Sequence, residues 1–167
     1  DICDELGLLV WQDCAFACCA YPFMDEDFLF EVKEEIAENV SRIRHHASLC
    51  LWCGNNEIES ISAAWLNRRS FIKSTERFFY KTLPALIERY DGETPYHQCS
   101  PGSGVYMKEP SGDASGDSHI WNTWHGFRLK DYYRKRFSRF CSETGIQSYP
   151  CFPVTVNQYC DLGEERL

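Results

Sequence analysis

What the 167-residue chain lacks narrows its role first. It has no basic stripe: the formal net charge is −8, and the densest cationic stretch, Arg128 to Arg139, is broken by aromatics and by Asp131. Nucleic acid and anionic membrane surfaces are therefore not expected partners, since both recruit clustered Lys and Arg. No run of about 18 apolar residues exists, so no transmembrane helix is expected. The first residues carry no signal-peptide pattern. Met first occurs at Met24, and a strand-like run begins within a few residues of Asp1, so the chain reads as a segment cut from a longer one. No internal repeat occurs, and the one biased tract is a Gly- and Ser-rich stretch from Gly102 to Gly116, too long for a plain connection and so either functional or mobile.

Cysteine is plentiful, but its pattern is missing. Ten cysteines are scattered through apparent strands and helices. Cys50 and Cys53 form one CxxC, yet positions three apart on a strand face opposite ways, and no second pair stands at a zinc-ligand spacing. No metal or cofactor is expected. The thiols read as small buried hydrophobes, a pattern that leans toward a reducing, cytoplasmic compartment without fixing one. The single sequon, Asn39-Val40-Ser41, falls inside a predicted helix.

The composition, 44% hydrophobic and 15% aromatic, supports a packed core rather than disorder. Leu6 to Trp11 reads as a first strand ending in Gln12-Asp13. Asp25 to Arg44 reads as a helix: Phe28, Val32, Ile36, Val40 and Ile43 share one face, acids open it and arginines close it. Leu49 to Cys53 is a short apolar strand that stops at Gly54 and delivers Asn55, Asn56 and Glu57. Ile58 to Tyr90 reads as helical with a break near Arg69, a kink at Pro84, and core candidates Phe71, Phe78, Phe79, Leu83 and Leu86. Pro95 to Pro101 is a brief third strand, Ser118 to Thr123 a fourth, Phe127 to Arg136 a short helix, and Phe137 to Ser142 a fifth strand ending in Glu143.

Strands alternating with helices predict an α/β fold with a parallel sheet. In an α/β barrel all strand ends open on one face, so Glu57 and Glu143 could meet there. Two carboxylates at one mouth are the equipment of glycoside hydrolysis, one holding a proton and one ionised. The alternative is that Asn55 and Asn56 only make a turn and Glu57 only opens the next helix.

A chain-wide resemblance adds to these readings. Cys3 to Asp13, Phe16-Ala17-Cys18 with Tyr21-Pro22, Leu51 to Glu57, Ser100-Pro101, Gly116 to Trp121 and Arg139 to Gly145 together resemble the catalytic domain of glycoside hydrolase family 2, most closely its β-mannosidases. The resemblance implies a partial TIM (β/α)8 barrel covering roughly strands three to seven, with 1–167 a fragment whose N-terminal β-sandwich domains and barrel ends lie elsewhere. The rest of its own chain would then be its partner, a β-mannoside its substrate, and the segment alone poorly stable and inactive, with open strand edges.

The resemblance further implies that Glu57 is the general acid/base and Glu143 the nucleophile of a retaining exo-β-mannosidase, with no cofactor. Asn56 would touch the sugar 2-hydroxyl. Trp65 and Trp121 would line the pocket, with ordinary core packing the alternative for each. His119 is a candidate substrate contact. The acid/base role calls for a raised Glu57 pKa, and Glu143 for donors, among which His119, Trp124 and His125 are candidates. Another family 2 activity (β-galactosidase, β-glucuronidase, exo-glucosaminidase) and a non-catalytic sugar-binding remnant stay open. Departures from the pattern include Ala47, Cys99, Cys141 and, nearest the chemistry, Thr144.

Overall fold

The computed structural model describes residues 1–65 and 69–146, with 63–65 by backbone only. A short helix α1 (Ile2–Leu6) leads into strand β1 (Val10–Asp13), helix α2 (Glu26–Ile43) and strand β2 (Leu49–Cys53). Helices α3 (Ile58–Trp65) and α4 (Arg69–Arg77) follow, then a π-helical turn (Phe78–Thr82), α5 (Leu83–Tyr90) and the two-residue strand β3 (Tyr96–His97). Strand β4 (Ser118–Ile120), a 3-10 segment (Lys130–Lys135) and strand β5 (Cys141–Thr144) complete it.

Every strand pairing is parallel: β1 to β2, β2 to β3, and, in a second sheet, β4 to β5. The α/β expectation with a parallel sheet is met. Between the two sheets no ladder forms among the described residues, and single bridges from Ala17 to Asn56 and from Asn56 to Ser100 carry the pairing past β2 and β3. The sheets curl toward one another, because Trp11 of β1 stacks on Phe140, just before β5, with ring centroids 6.0 Å apart.

The amphipathic reading of α2 holds nearly residue for residue. Asp25 caps it, its carboxylate accepting from the Phe28 N–H at 2.9 Å, and Val32, Ile36 and Val40 are buried. At its other end the Arg44 guanidinium donates to the Tyr90 carbonyl at 3.0 Å, fastening α2 to α5. The motif Phe16-Ala17-Cys18 with Tyr21-Pro22 supplies the aromatic centre. Phe23 stacks on Phe78 at 4.2 Å, and Phe16 meets Phe79 edge-on at 5.5 Å. Phe78, Phe79 and Leu83 are buried as expected, whereas Phe71 and Leu86 are only half-buried, and Ile87 takes a core place that the pattern did not single out.

Four expectations are corrected. The first strand begins at Val10 rather than Leu6, because Gly7 turns left-handed at φ 65° and ends α1, leaving Leu9 78% exposed. The kink expected at Pro84 lies upstream as the π turn: Pro84 has no N–H for the Tyr80 carbonyl, and the Leu83 N–H reaches back five residues to Phe78. The short helix expected at Phe127 to Arg136 is a 3-10 segment of six residues. The fifth strand starts at Cys141, so Glu143 lies inside it rather than after it. The thiols are also less uniform than expected: Cys53 and Cys99 are buried, but Cys18, Cys19 and Cys141 are exposed, and the eight cysteines among the described residues are free. The helix break expected near Arg69 falls beside residues outside the described set, as do Pro150, Pro153, Cys151 and Cys160.

Phe79 is 1% exposed and contacts Phe16, Phe23 and Phe78. Phe79→Ala in the full-length protein is therefore expected to cost about 3–5 kcal/mol, read from the urea unfolding transition.

Candidate active site

Five apolar and small residues end at Gly54 because nothing larger fits: a Cβ there would collide with the Tyr96 hydroxyl and the Gln98 carbonyl. The two amides that follow then divide their labour. Asn55 is fully buried, caps α3 by accepting from the Ile58 N–H at 3.1 Å, and donates to the Gln98 carbonyl at 3.0 Å. Its role is structural, as the turn reading had it. Asn56 instead bridges β-fashion between Ala17 and Ser100, and its amide nitrogen lies 3.7 Å from the Cys18 sulfur.

Glu57 takes φ 60°, a left-handed conformation costly for a side chain of its size, held by its N–H on the Ser100 carbonyl at 2.7 Å. That turn points its carboxylate inward rather than along α3. Oε1 accepts from His119 Nδ1 at 2.8 Å, and Oε2 accepts from the Cys18 thiol at 3.5 Å. Glu143, on β5 and paired in register with His119 on β4, accepts from Trp121 Nε1 at 3.0 Å, and its Oε2 lies 3.3 Å from the same His119 Nδ1. One oxygen of each carboxylate and the His119 nitrogen all fall within 4.8 Å of one another. The carboxylates are 27% and 36% exposed, while His119 beneath them is 3% exposed. The pair opens to solvent, and the imidazole closes its floor.

A second layer holds His119. Its Nε2 lies 2.9 Å from Ser100 Oγ, which donates to Asp117 Oδ2 at 2.7 Å, and Ser142 donates to that same oxygen at 2.5 Å. Asp117 Oδ1 accepts from the Gly102 N–H at 2.8 Å and lies 3.0 Å from His97 Nε2. Burial alone would raise the Asp117 pKa, but these donors outweigh it and bring it to about 2. The long loop from Gly102 to Gly116 is tied in as well: Ser111 accepts from the His119 N–H and donates to its carbonyl, and the Met107 N–H donates to the buried Glu59 at 2.8 Å.

The raised pKa expected for Glu57 is reversed. The His119 hydrogen bond lowers it, outweighing partial desolvation, with smaller help from the charges of His119 and His125 and from the Cys18 thiol. Glu143's donor is Trp121, with His119 Nδ1 within ion-pair distance; neither Trp124, which is exposed, nor His125 bonds to it among the described residues. Glu57, Glu143, Asn56, Trp121 and His119 thus converge, whereas the Trp65 side chain lies outside the described residues. Cys18, Ser100 and Asp117 were present in the motifs but not singled out as site residues. No periodicity marks a buried carboxylate, and only the Gly-Asp-Ser-His context hints at it.

Comparison with known proteins bears on what this constellation is. No protein-family model matches the chain. Beta-mannosidase B of Thermothelomyces thermophilus is 37% identical over 178 aligned residues, 99% of this chain and 20% of that protein. The Aspergillus clavatus Beta-mannosidase B is 39% identical over 90% of this chain and 19% of its own. The crystal structure of a beta-D-mannosidase from Dictyoglomus thermophilum superposes with TM-score 0.84 at 39% identity, over 95% of this chain and 19% of that one.

The chain is a homologue of β-mannosidases. It spans about a fifth of the length of the relatives it matches. Its parallel α/β framework is that of a β-mannosidase segment, at an identity that carries both sequence and fold.

Asp117 gives this segment a pH signature. A carboxylate held at about 2 against an ordinary 3.8 stabilises the fold above about pH 4, and that contribution is lost as pH falls toward 2. The stability gap between the native protein and Asp117→Asn should therefore be widest near neutrality and shrink by about 2 kcal/mol between pH 5 and pH 2 in denaturant titrations. A gap independent of pH would contradict this origin.

Proposed function

We propose that the full-length protein is a retaining exo-β-mannosidase that releases terminal β-D-mannose, and that this segment, 1–167, is part of its catalytic TIM (β/α)8 barrel, contributing roughly strands three to seven as β1 to β5. The observation that carries this reading is the close approach of Glu57 and Glu143, with oxygens within 4.8 Å across one shared donor. Retaining glycosidases place their carboxyl groups about 5–5.5 Å apart, close enough for direct attack, whereas inverting ones leave room for a water.

In the first step a Glu143 oxygen attacks the anomeric carbon while Glu57 gives its proton to the departing glycosidic oxygen. In the second, Glu57 takes a proton from water, the water oxygen bonds to the anomeric carbon, and the bond to Glu143 breaks. Asn56 would contact the sugar 2-hydroxyl, with Trp121 and Trp65 offering indole surface to the apolar sugar face. Trp121 also donates to Glu143, which suits a group that must stay ionised before attack. Double displacement by two carboxyl groups calls for no cofactor or metal.

The remaining chain, β-sandwich domains and further barrel strands, is the proposed partner of exposed apolar side chains such as Leu9, 78% exposed, and Phe127, 92% exposed. A different sugar at the same pair, such as galactose, glucuronic acid or glucosamine, is the nearest rival, and a panel of aryl glycosides separates them.

Two measurements on the full-length protein test the roles. Treatment with a 2-deoxy-2-fluoro-mannosyl fluoride should leave one covalent adduct, located on Glu143 by peptide mass; a folded protein that takes no label overturns the reading. Glu57→Gln should retain a rapid first step on aryl mannosides with good leaving groups and stall in the second, giving a burst, while Glu143→Gln should lose both steps. Equal loss in the two variants on every leaving group would overturn the assignment.

A further inference from the structure

The geometry points to His119 as a positioning residue with one shared donor: its Nδ1–H serves Glu143 while Glu57 carries a proton, and serves Glu57 once Glu143 is occupied by sugar. This rests on the carboxylate roles above and adds a third member to them.

Three observations support it. Nδ1 is hydrogen-bonded to a Glu57 oxygen at 2.8 Å and lies 3.3 Å from a Glu143 oxygen, so a small shift of the carboxylates, rather than a swing of the ring, passes the one N–H from one acceptor to the other. The ring cannot swing away to meet a substrate freely, since its side chain is 3% exposed and both its backbone groups are bonded to Ser111. On its far side Nε2 meets Ser100, whose partner is the ionised Asp117. Ser100 gives its one hydroxyl proton to Asp117, so its oxygen faces Nε2 as an acceptor, and the pair of carboxylate acceptors on the other side holds the proton on Nδ1 through the cycle.

The proton count follows. With Glu57 protonated and Glu143 ionised, Nδ1–H stabilises the nucleophile's charge. Attack neutralises Glu143 as an ester and removes the Glu57 proton to the leaving group, so the only carboxylate charge left is on Glu57, which takes the Nδ1–H bond as its acceptor. The lowered Glu57 pKa of the free site fits the second arrangement. No proton leaves His119 at any step. The groups that face it from the packed elements are Glu57 beyond β2, with Cys18 across from it, Asp117 on its own approach, Ser100 after β3, and Glu143 and Ser142 on β5; His125 adds charge toward Glu57, and His97 pairs with Asp117.

The test compares pH profiles of kcat/KM for the full-length protein, His119→Leu and His119→Asn with an aryl β-mannoside. Loss of the donor should disfavour the ionised form of both carboxylates, so both limbs of the His119→Leu profile should move up, by about one pH unit, with about a tenfold loss at the native optimum. His119→Asn places an amide N–H near the position of Nδ1 and should move the limbs back toward their native places. A profile lowered in height with limbs unmoved would mark a merely structural histidine and overturn the inference.

Should the variants not fold, neutron diffraction from crystals of the unaltered protein decides: a deuterium on Nδ1 directed between the carboxylates supports the role, and a bare Nδ1 overturns it. Fluoromannosyl labelling of Glu143 in the unaltered protein, run alongside, separates this inference from the mannosidase reading. Label with unmoved limbs removes only the role of His119, whereas no label removes the reading itself.

Discussion

Asp117 is a charge placed where water does not reach, and the site is arranged around keeping it satisfied. Its oxygens gather donors from the loop after β3, from β3 itself and from β5, elements that share no continuous ladder with one another. A buried carboxylate without partners would be expelled or neutralised, so the donors must come to it, and in coming they tie β3 and β5 to Asp117, next to β4. The interaction is polar where a sheet would ordinarily be held by backbone. That substitution leaves the strand ends free to present side chains rather than pair.

From Asp117 the order passes outward through Ser100 to His119 and from His119 to the two carboxylates. Asp117 and His119 are equally sealed, at 3% side-chain exposure, and only the glutamates open to solvent, by about a third. The gradient has a chemical sense. Positioning groups need a low-dielectric setting in which a hydrogen bond is strong, and reacting groups need access to substrate and water. The strained backbone at Glu57 belongs to the same design, since the left-handed turn is what directs its side chain across to β4 instead of along α3.

Glu57 also shows why the demands of a mechanism are not read directly from an empty site. Acid chemistry calls for a proton that His119, as placed, discourages, while base chemistry calls for the ionised form that His119 favours. A residue with both of the proposed duties must sit near the balance between them, and in the proposed mechanism what tips it is the charge on Glu143, present before attack and gone after it.

Much of this was legible in the residues alone. The period of α2, its acidic cap and the apolar run of β2 follow from local preferences that no neighbour overrides, and they survive almost to the residue. The motif with Gly54, Asn55, Asn56 and Glu57 reads by itself as readily as a turn and helix start, and it was the chain-wide resemblance that singled out Glu57 within it. Spacing placed Glu57 and Glu143 at strand ends but did not by itself separate Asn55, a cap, from Asn56, which only the resemblance singled out, since the two differ in which way the chain turns. Sequence misplaced the start of β1, where a left-handed Gly7 outweighed a run of leucines, and it gave Glu57 the wrong direction of pKa shift. Those outcomes depend on contacts between residues up to 62 positions apart, such as Glu57 with His119. Local propensity and periodicity are properties of neighbours along the chain and can be read there. Which nitrogen faces which carboxylate, and at what burial, is set by the packing of β2, β3, β4 and β5 together, and only the tertiary structure decides it.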